Sequence, residues 1–225
     1  MERLLSTPLL VVVALCAAST ARAQTRAPAP ETDTQLWSDV QLAVPLGKTV
    51  DSVWSGTLRL GRNVKRPVDE RVGLSFSFKL GKYLTAAPGY LRLWTQPSPG
   101  REGTEDRLLL PVTVRFPLGK TFVLSDRNQF ERRYRKPQGV STRYRNRLQI
   151  DRPVKFGKTA LTLFAADEVF YDWSVNDWVR NRFSLGFSRK FNPHFTEDFY
   201  YLRQNDGRSR PGDLHAVGTT IRLRL

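Results

Sequence analysis

Apolar and polar residues alternate along several long segments of this chain, and this pattern restricts its fold more than any other feature. Between residues 71 and 80 the even-numbered positions are apolar, while the odd-numbered positions are small or charged. A similar alternation recurs over residues 108–116, 180–188 and 217–225. Successive side chains of a β-strand point to opposite faces, so each segment is expected to form a strand with one apolar face. No stretch after residue 23 carries the spacing of an amphipathic helix, and we predict an all-β protein.

Short turn sequences recur at a nearly constant spacing. Four of them combine an apolar residue, glycine and lysine, as in Leu46-Gly47-Lys48, and a looser fifth contains Asn192. Measured between positions 47, 81, 119, 157 and 192, the spacings are 34, 38, 38 and 35 residues. Glycine and asparagine supply the positive φ that tight hairpin turns need. This period fits two strands with one tight turn and one longer loop, the arrangement of a transmembrane up-and-down barrel. The predicted longer loops cover residues 63–70, 96–106, 136–142, 174–177 and 205–213.

The predicted strands are long. Each has about 10–13 residues, whereas a tilted strand needs roughly 9–11 residues to cross a bilayer and strands in soluble proteins are nearer 5–6. Eleven segments begin near residues 34, 50, 70, 83, 107, 121, 143, 159, 178, 194 and 214. Bacterial barrels have even strand numbers, so we expect one segment to be miscounted and predict a transmembrane antiparallel β-barrel of about 10–12 strands. A soluble sandwich is the alternative.

Aromatic residues lie near the ends of the predicted strands, as in the aromatic girdles of membrane barrels. The final segment alternates Ile221, Leu223 and Leu225 with polar residues, as a terminal barrel strand does. The predicted girdle residues are Trp37, Trp54, Tyr83, Tyr90, Trp94, Tyr134, Tyr171, Trp173 and Trp178.

The first 23 residues have the pattern of a secretory signal peptide. Arg3 precedes an apolar run over residues 9–18, and Ala21-Arg22-Ala23 matches a cleavage site. The run is shorter than the roughly 20 residues of a spanning helix. We therefore expect a cleaved signal peptide at 1–23, a polar extension at 24–33 and a barrel domain at 34–225. The expected location is the outer membrane of a Gram-negative bacterium.

The chain is strongly basic, with 36 Lys and Arg against 21 Asp and Glu and a net charge of +15. Such a charge often indicates nucleic-acid binding, but an exported protein rarely meets nucleic acid, so we expect no nucleic-acid partner. One cysteine, within the predicted signal peptide, and two histidines exclude a disulfide scaffold and a zinc finger.

Arginines on the polar faces of neighbouring segments form the candidate site. The acids expected among them, Glu131 and Glu168, either bridge arginines in a structural ladder or belong to an anion path or binding site inside the barrel. The predicted cluster consists of Arg127, Glu131, Arg133, Arg143, Arg145, Arg147, Glu168, Arg180 and Arg182.

Three functions stay open. The first is a structural or binding barrel that contacts an anionic ligand or lipopolysaccharide, and the second is a small passive, anion-preferring pore. An outer-membrane enzyme comes third. Barrels near eight strands are filled by side chains, while sixteen or more strands leave a channel, so 10–12 strands do not decide between the first two.

No motif for catalysis, nucleotide binding or metal binding occurs in the sequence. His194 and His215 are expected to be surface residues. Glu197 and Asp198 are adjacent in a predicted strand and would point to opposite faces. We predict a protein that is not an enzyme and has no cofactor or metal.

Two further expectations concern single strands. Glu168 shares a polar face with Thr162, and the turn near Gly157 and the loop near Asn176 place its strand between the strands of Arg145 and Arg182. We expect Glu168 to pair with arginines Arg145, Arg147, Arg180 and Arg182. By contrast, Asp126, Asn128 and Asp167 fall on the lipid face, so a bulge or a position near a strand end is expected there.

Several short motifs resemble the domain of unknown function 2490 family of bacterial outer-membrane barrels, over about residues 34–225. They are Trp37, Pro88-Gly89-Tyr90, the stretches 126–133, 144–148 and 167–170, and Arg180-Asn181-Arg182 with Gly186. The resemblance implies an outer-membrane barrel and no established activity.

Overall fold

The computed structural model of the chain describes residues 31–97, 100–157 and 159–225. The predicted signal peptide and most of the polar extension lie outside the described residues. Among the described residues, no helix is long and apolar enough to cross a membrane.

The described chain folds into one continuous sheet of twelve strand segments. They are β1 (Thr32–Pro45), β2 (Val50–Gly61), β3 (Arg66–Lys79), β4 (Leu84–Ala86), β5 (Gly89–Thr95), β6 (Gly103–Leu118), β7 (Phe122–Lys136), β8 (Gly139–Phe156), β9 (Thr159–Asp172), β10 (Asp177–Asn192), β11 (Phe195–Asp206) and β12 (Asp213–Arg224).

Strands β4 and β5 occupy a single position in the sheet. Both lie between β3 and β6 and pair with both of them. Pro88, which separates them, has no amide hydrogen to contribute to a strand ladder. The barrel therefore has eleven strand positions.

A parallel pair closes the barrel. Strand β1 pairs with β12 from Thr32↔Asp213 to Ala43↔Arg224, while all other neighbours are antiparallel. A ring with an odd number of strands in alternating directions must contain one parallel contact. The eleven segments read from the sequence are therefore the strands of the barrel, and the expectation that one was miscounted is wrong.

The connections differ between the two ends of the barrel, but less than predicted. At one end, called the turn end, they cover residues 46–49, 80–83, 119–121, 157–158 and 193–194. At the other, the loop end, they cover residues 62–65, 96–102, 137–138, 173–176 and 207–212. The predicted loops 63–70 and 136–142 were too long, because β3 and β8 extend into them.

The two faces of the sheet have different compositions. The outer surface exposes apolar side chains, which include Leu108, Leu110, Leu148, Phe183, Leu185 and Val217. The interior holds many buried charged side chains, together with an apolar cluster of Trp37, Leu202, Leu214 and Ala216 beside the β1–β12 pair.

The sequence analysis places Trp37 in the aromatic girdle, and this prediction is wrong. It is only 3% exposed because its alternation in β1 turns it inward. The guanidinium carbons of Arg59 and Arg182 lie 3.6 and 5.0 Å from its ring centroid.

The polar residues of the outer face lie in regular strands. The β6–β7 and β7–β8 pairings run through Asp126 and Asn128 without a register shift, and both residues lie well inside β7. The expectation of a bulge or a strand-end position is therefore wrong for these two. Hydrogen bonding offers the physical reason, because Asn146 Nδ2 donates to Asp126 at 2.6 Å and Asn181 Nδ2 donates to Asp167 at 2.8 Å.

Candidate functional site

The candidate site is a network of arginines and carboxylates inside the barrel. Alternation along β7, β8, β9 and β10 turns the predicted cluster residues toward the interior, where they meet side chains from β6 and β11. Five of them are under 9% exposed: Glu131, Arg133, Arg143, Glu168 and Arg182.

Glu131 is completely buried, with 0% exposure. Its Oε2 accepts hydrogen bonds from Arg143 Nη2 at 2.6 Å and Nε at 2.9 Å. Its Oε1 accepts from Arg145 Nη1 at 2.8 Å and from Gln129 Nε2 at 2.7 Å. These hydrogen-bond donors belong to the strand of Glu131 and to β8, and Arg107 Nη1 of β6 lies 3.8 Å from Oε2. The charge of this carboxylate, which has no water contact, is therefore balanced within the protein.

Glu168 forms ion pairs with arginines from three strands. Its Oε1 lies 2.8 Å from Arg127 Nη2 and 2.7 Å from Arg145 Nη2, and its Oε2 lies 3.8 Å from Arg182 Nη1. Arg145 therefore bridges Glu131 and Glu168 through its two terminal nitrogens.

Two of the arginines expected around Glu168 have other partners. Arg147 donates to Gln149 Oε1 at 3.0 Å, and Arg180 pairs with Asp206 of β11. Arg127 contacts Glu168 although the two strands are not neighbours, because long side chains reach across the interior from β7 to β9.

Three acids that pair with the predicted arginines were not predicted from the sequence: Glu105, Asp172 and Asp206. Glu105 pairs with Arg107 at 2.7 Å and also with Arg133, and Asp172 lies 3.0 Å from Arg133 Nη1. Glu105 had been assigned to a loop, whereas β6 begins at Gly103. Continuing the alternation backward from Arg107 would have placed Glu105 on the interior face.

These residues close the interior toward the loop end. Phe170 is 1% exposed, and the guanidinium carbons of four arginines lie 4.7–5.5 Å from its ring centroid. Leu93 is 0% exposed. We call this set the ion-pair layer: Leu93, Glu105, Arg107, Glu131, Arg133, Arg143 and Phe170.

A cavity of about 320 Å³ lies in the interior beside Glu168. Its lining includes six arginines and three carboxylates, an excess of 6 − 3 = 3 cationic side chains. Buried Nε atoms of Arg59, Arg127 and Arg145 have no hydrogen-bond partner within the described part of the chain. We call this space the arginine cavity; its charged lining residues are Asp39, Arg59, Arg127, Arg145, Arg147, Glu168, Arg182, Asp198 and Arg222.

The other candidate groups lie outside this network. His194 Nδ1 is 2.7 Å from the Arg224 carbonyl oxygen, and His215 Nδ1 contacts the Tyr201 hydroxyl on the outer face. Asp198 points inward to Arg222, and its neighbour Glu197 accepts from Thr219 Oγ1 at 3.2 Å. Within residues 31–97, 100–157 and 159–225, no group of three His, Cys, Asp or Glu side chains could hold a metal ion.

A family model described as "Protein of unknown function (DUF2490)" matches residues 34–215. One similar solved structure is described as "NanC porin structure in rhombohedral crystal form", with 12% identity and a TM-score of 0.49. The match covers 86% of this chain and 99% of the porin chain. Another is an anion-selective porin from Comamonas acidovorans, with 14% identity and a TM-score of 0.39. It covers 79% of this chain and 54% of its own. No curated protein sequence matches the chain.

Proposed function

Because this chain belongs to the DUF2490 family of proteins of unknown function, we propose a function from its own geometry: an outer-membrane β-barrel that binds small anions in the arginine cavity. The observation that carries this proposal is the excess of three cationic side chains around that cavity.

The outer surface supports placement in a membrane. It exposes apolar side chains along most strands, and the strands of the barrel wall other than β4 and β5 are 12–18 residues long. A tilted strand needs roughly 9–11 residues to cross a bilayer. We propose the outer membrane, reached through a cleaved signal peptide at residues 1–23, with membrane lipid and lipopolysaccharide as partners of the outer surface.

The arginines of the cavity support anion binding. Glu168 is already shared by Arg127 and Arg145. Among the described residues, Arg147 has only the neutral Gln149 within hydrogen-bond distance. The guanidinium group is always charged and presents its donors in a fork that fits carboxylate and phosphate oxygens. An entering anion would compensate the excess positive charge of the lining.

The ion-pair layer argues against the alternative of a passive anion pore. Glu131, Leu93 and Phe170 have 0–1% exposure, so no water reaches these side chains between the cavity and the loop end. The excess positive charge favours anion preference if a path does open. In the part of the chain that the structure describes, no arrangement of nucleophile and base supports the third possibility, an enzyme, and we propose a binding function without catalysis.

Calorimetric titration of the refolded protein in detergent with citrate and inorganic phosphate tests the proposal. We expect saturable binding of at least one anion, and about tenfold weaker binding in Arg147→Gln because one charge-assisted contact is lost. Arg132→Gln, on the outer surface, is the matched control and should bind as the unchanged protein does. Absence of saturable binding to either anion would refute the anion site.

A further inference from the structure

A polar patch interrupts the outer surface of strands β7 to β10. Asn146 Nδ2 donates to Asp126 Oδ1 at 2.6 Å and to Asn128 Oδ1 at 3.2 Å, and the Tyr144 hydroxyl also donates to Asn128. On the neighbouring strands β9 and β10, Asn181 Nδ2 donates to Asp167 Oδ1 at 2.8 Å. We call these six residues the outer polar patch: Asp126, Asn128, Tyr144, Asn146, Asp167 and Asn181.

The patch lies within the apolar part of the barrel wall. On β7, the outward positions are Phe122 and Leu124 toward the turn end, and Phe130 toward the loop end. On β8, Leu148 and Ile150 continue the outer face toward the turn end. If the barrel spans a membrane, the carboxylates and amides between these residues face lipid, where an unshielded charge costs several kcal/mol.

The tilt of the strands sets which patch residues lie at the same height. A row of paired residues runs from Asn128 through Asn146, Val169, Asn181, Asn205 and Asp213 to Thr32. It begins in the middle of β7 and ends at the first residue of β1, so rows climb toward the loop end along this direction. Asp126, Leu148 and Asp167 share the next row. Asp126 lies below Asn128 on β7, but its row climbs over the two steps from β7 to β9. Asp167 of β9 therefore lies at about the height of Asn128.

This geometry makes the patch self-complementary. A two-fold axis along β8, parallel to the barrel axis, would bring β7 of one copy against β9 of the other. The Asn128 amide would then face the Asp167 carboxylate of the second copy, twice by symmetry, with Leu148 between the two contacts. Leu148 is 47% exposed, so it is available for an apolar contact at the centre. Closed two-fold contacts of this isologous kind are the commonest among oligomers.

We propose that the outer polar patch is an interface at which two copies of this chain associate side by side in the membrane. The inference rests on the proposed membrane placement, and not on anion binding. The second copy would supply donors to Asp167 and remove both patches from lipid.

Cysteine cross-linking in isolated outer membranes tests the interface. Asn146→Cys and, separately, Leu148→Cys lie near the axis, so a short bis-maleimide should convert most of either variant to a dimer. Gly56→Cys is the matched control on the outer face of β2, far round the barrel from β8, and should remain monomeric. The unchanged chain controls for Cys16, the only native cysteine.

Each outcome has a distinct meaning. Dimers from positions 146 and 148 but not from 56 support the interface. Monomers at all three positions in a membrane-inserted, heat-modifiable protein overturn it, as do equal dimer yields at position 56 or cross-links to a different protein. Recovery of the chain in the soluble fraction refutes the membrane placement as well, which separates that failure from failure of the interface alone.

Discussion

Glu168 illustrates how charge is balanced at the scale of single residues. Its carboxylate is 4% exposed and accepts from Arg127 and Arg145, which belong to different strands. A buried ion pair adds little stability compared with an apolar pair, but removing one partner leaves an uncompensated charge. Removal of the Glu168 carboxylate would therefore reduce stability chiefly because the buried arginines around it would lose their counter-charge.

We expect Glu168→Gln to lower the free energy of unfolding by about 3–5 kcal/mol, because buried arginines would lose their counter-charge. Urea unfolding of the refolded protein in detergent measures the change. Asp167→Asn is the matched control, since Asp167 is the preceding residue on the opposite, exposed face, and we expect a change below about 1 kcal/mol. Equal effects of the two substitutions would contradict a buried role for Glu168.

Alternation alone sets which way a residue points, and that much of the site follows from the sequence. The pairing of Arg127 with Glu168 does not, because β7 and β9 are separated by β8 and the contact depends on side-chain length and barrel width. The inward position of Glu105 was not predicted either, because the turn-forming residues around Gly100 extended the predicted loop past the start of β6 at Gly103.

At the scale of strands, the parallel contact between β1 and β12 determines how the barrel closes. Segment starts read from the sequence lie within about four residues of the observed strands. The rule of even strand numbers suggested a wrong correction, because that rule assumes antiparallel closure throughout. Sequence periodicity carries no information on the direction in which the first and last strands meet.

Paired cysteines test this closure. Ser38 and Thr219 are partners in the parallel register, so Ser38→Cys with Thr219→Cys should form a disulfide on mild oxidation. The control pair Thr34→Cys with Leu223→Cys is far apart in parallel closure, because Thr34 pairs with His215. It would be close only in an antiparallel arrangement. Migration of the unfolded protein on gels without reductant measures both, and a cross-link in the control pair alone would contradict the parallel closure.

At the scale of the whole molecule, eleven strand positions leave the interior between two regimes. Barrels near eight strands are filled by side chains, and barrels of sixteen or more hold a water-filled channel. Strand number therefore could not predict whether this interior is open. In the structure, arginines of the adjacent strands β8 and β10 surround Phe170 of β9, and the arginine cavity remains beside them.

Phe170 is consequently the residue whose removal should open the barrel. Its ring is surrounded by Arg143, Arg145, Arg180 and Arg182, and truncation to alanine would leave a gap lined by guanidinium groups. In planar bilayers we expect no steady current from the unchanged protein and a steady current from Phe170→Ala. In a KCl gradient, the reversal potential should indicate chloride preference, because the lining carries excess positive charge.

Phe183→Ala is the matched control, because Phe183 is 43% exposed on the outer surface and its truncation leaves the interior unchanged. Phe170→Ala should also be destabilised by about 3–5 kcal/mol, the usual cost of such a cavity, so heat-modifiable migration on gels must first show that the variant is folded. A steady current through the unchanged protein would mean that the ion-pair layer does not seal the barrel, and a folded Phe170→Ala without current would mean that Phe170 is not what seals it.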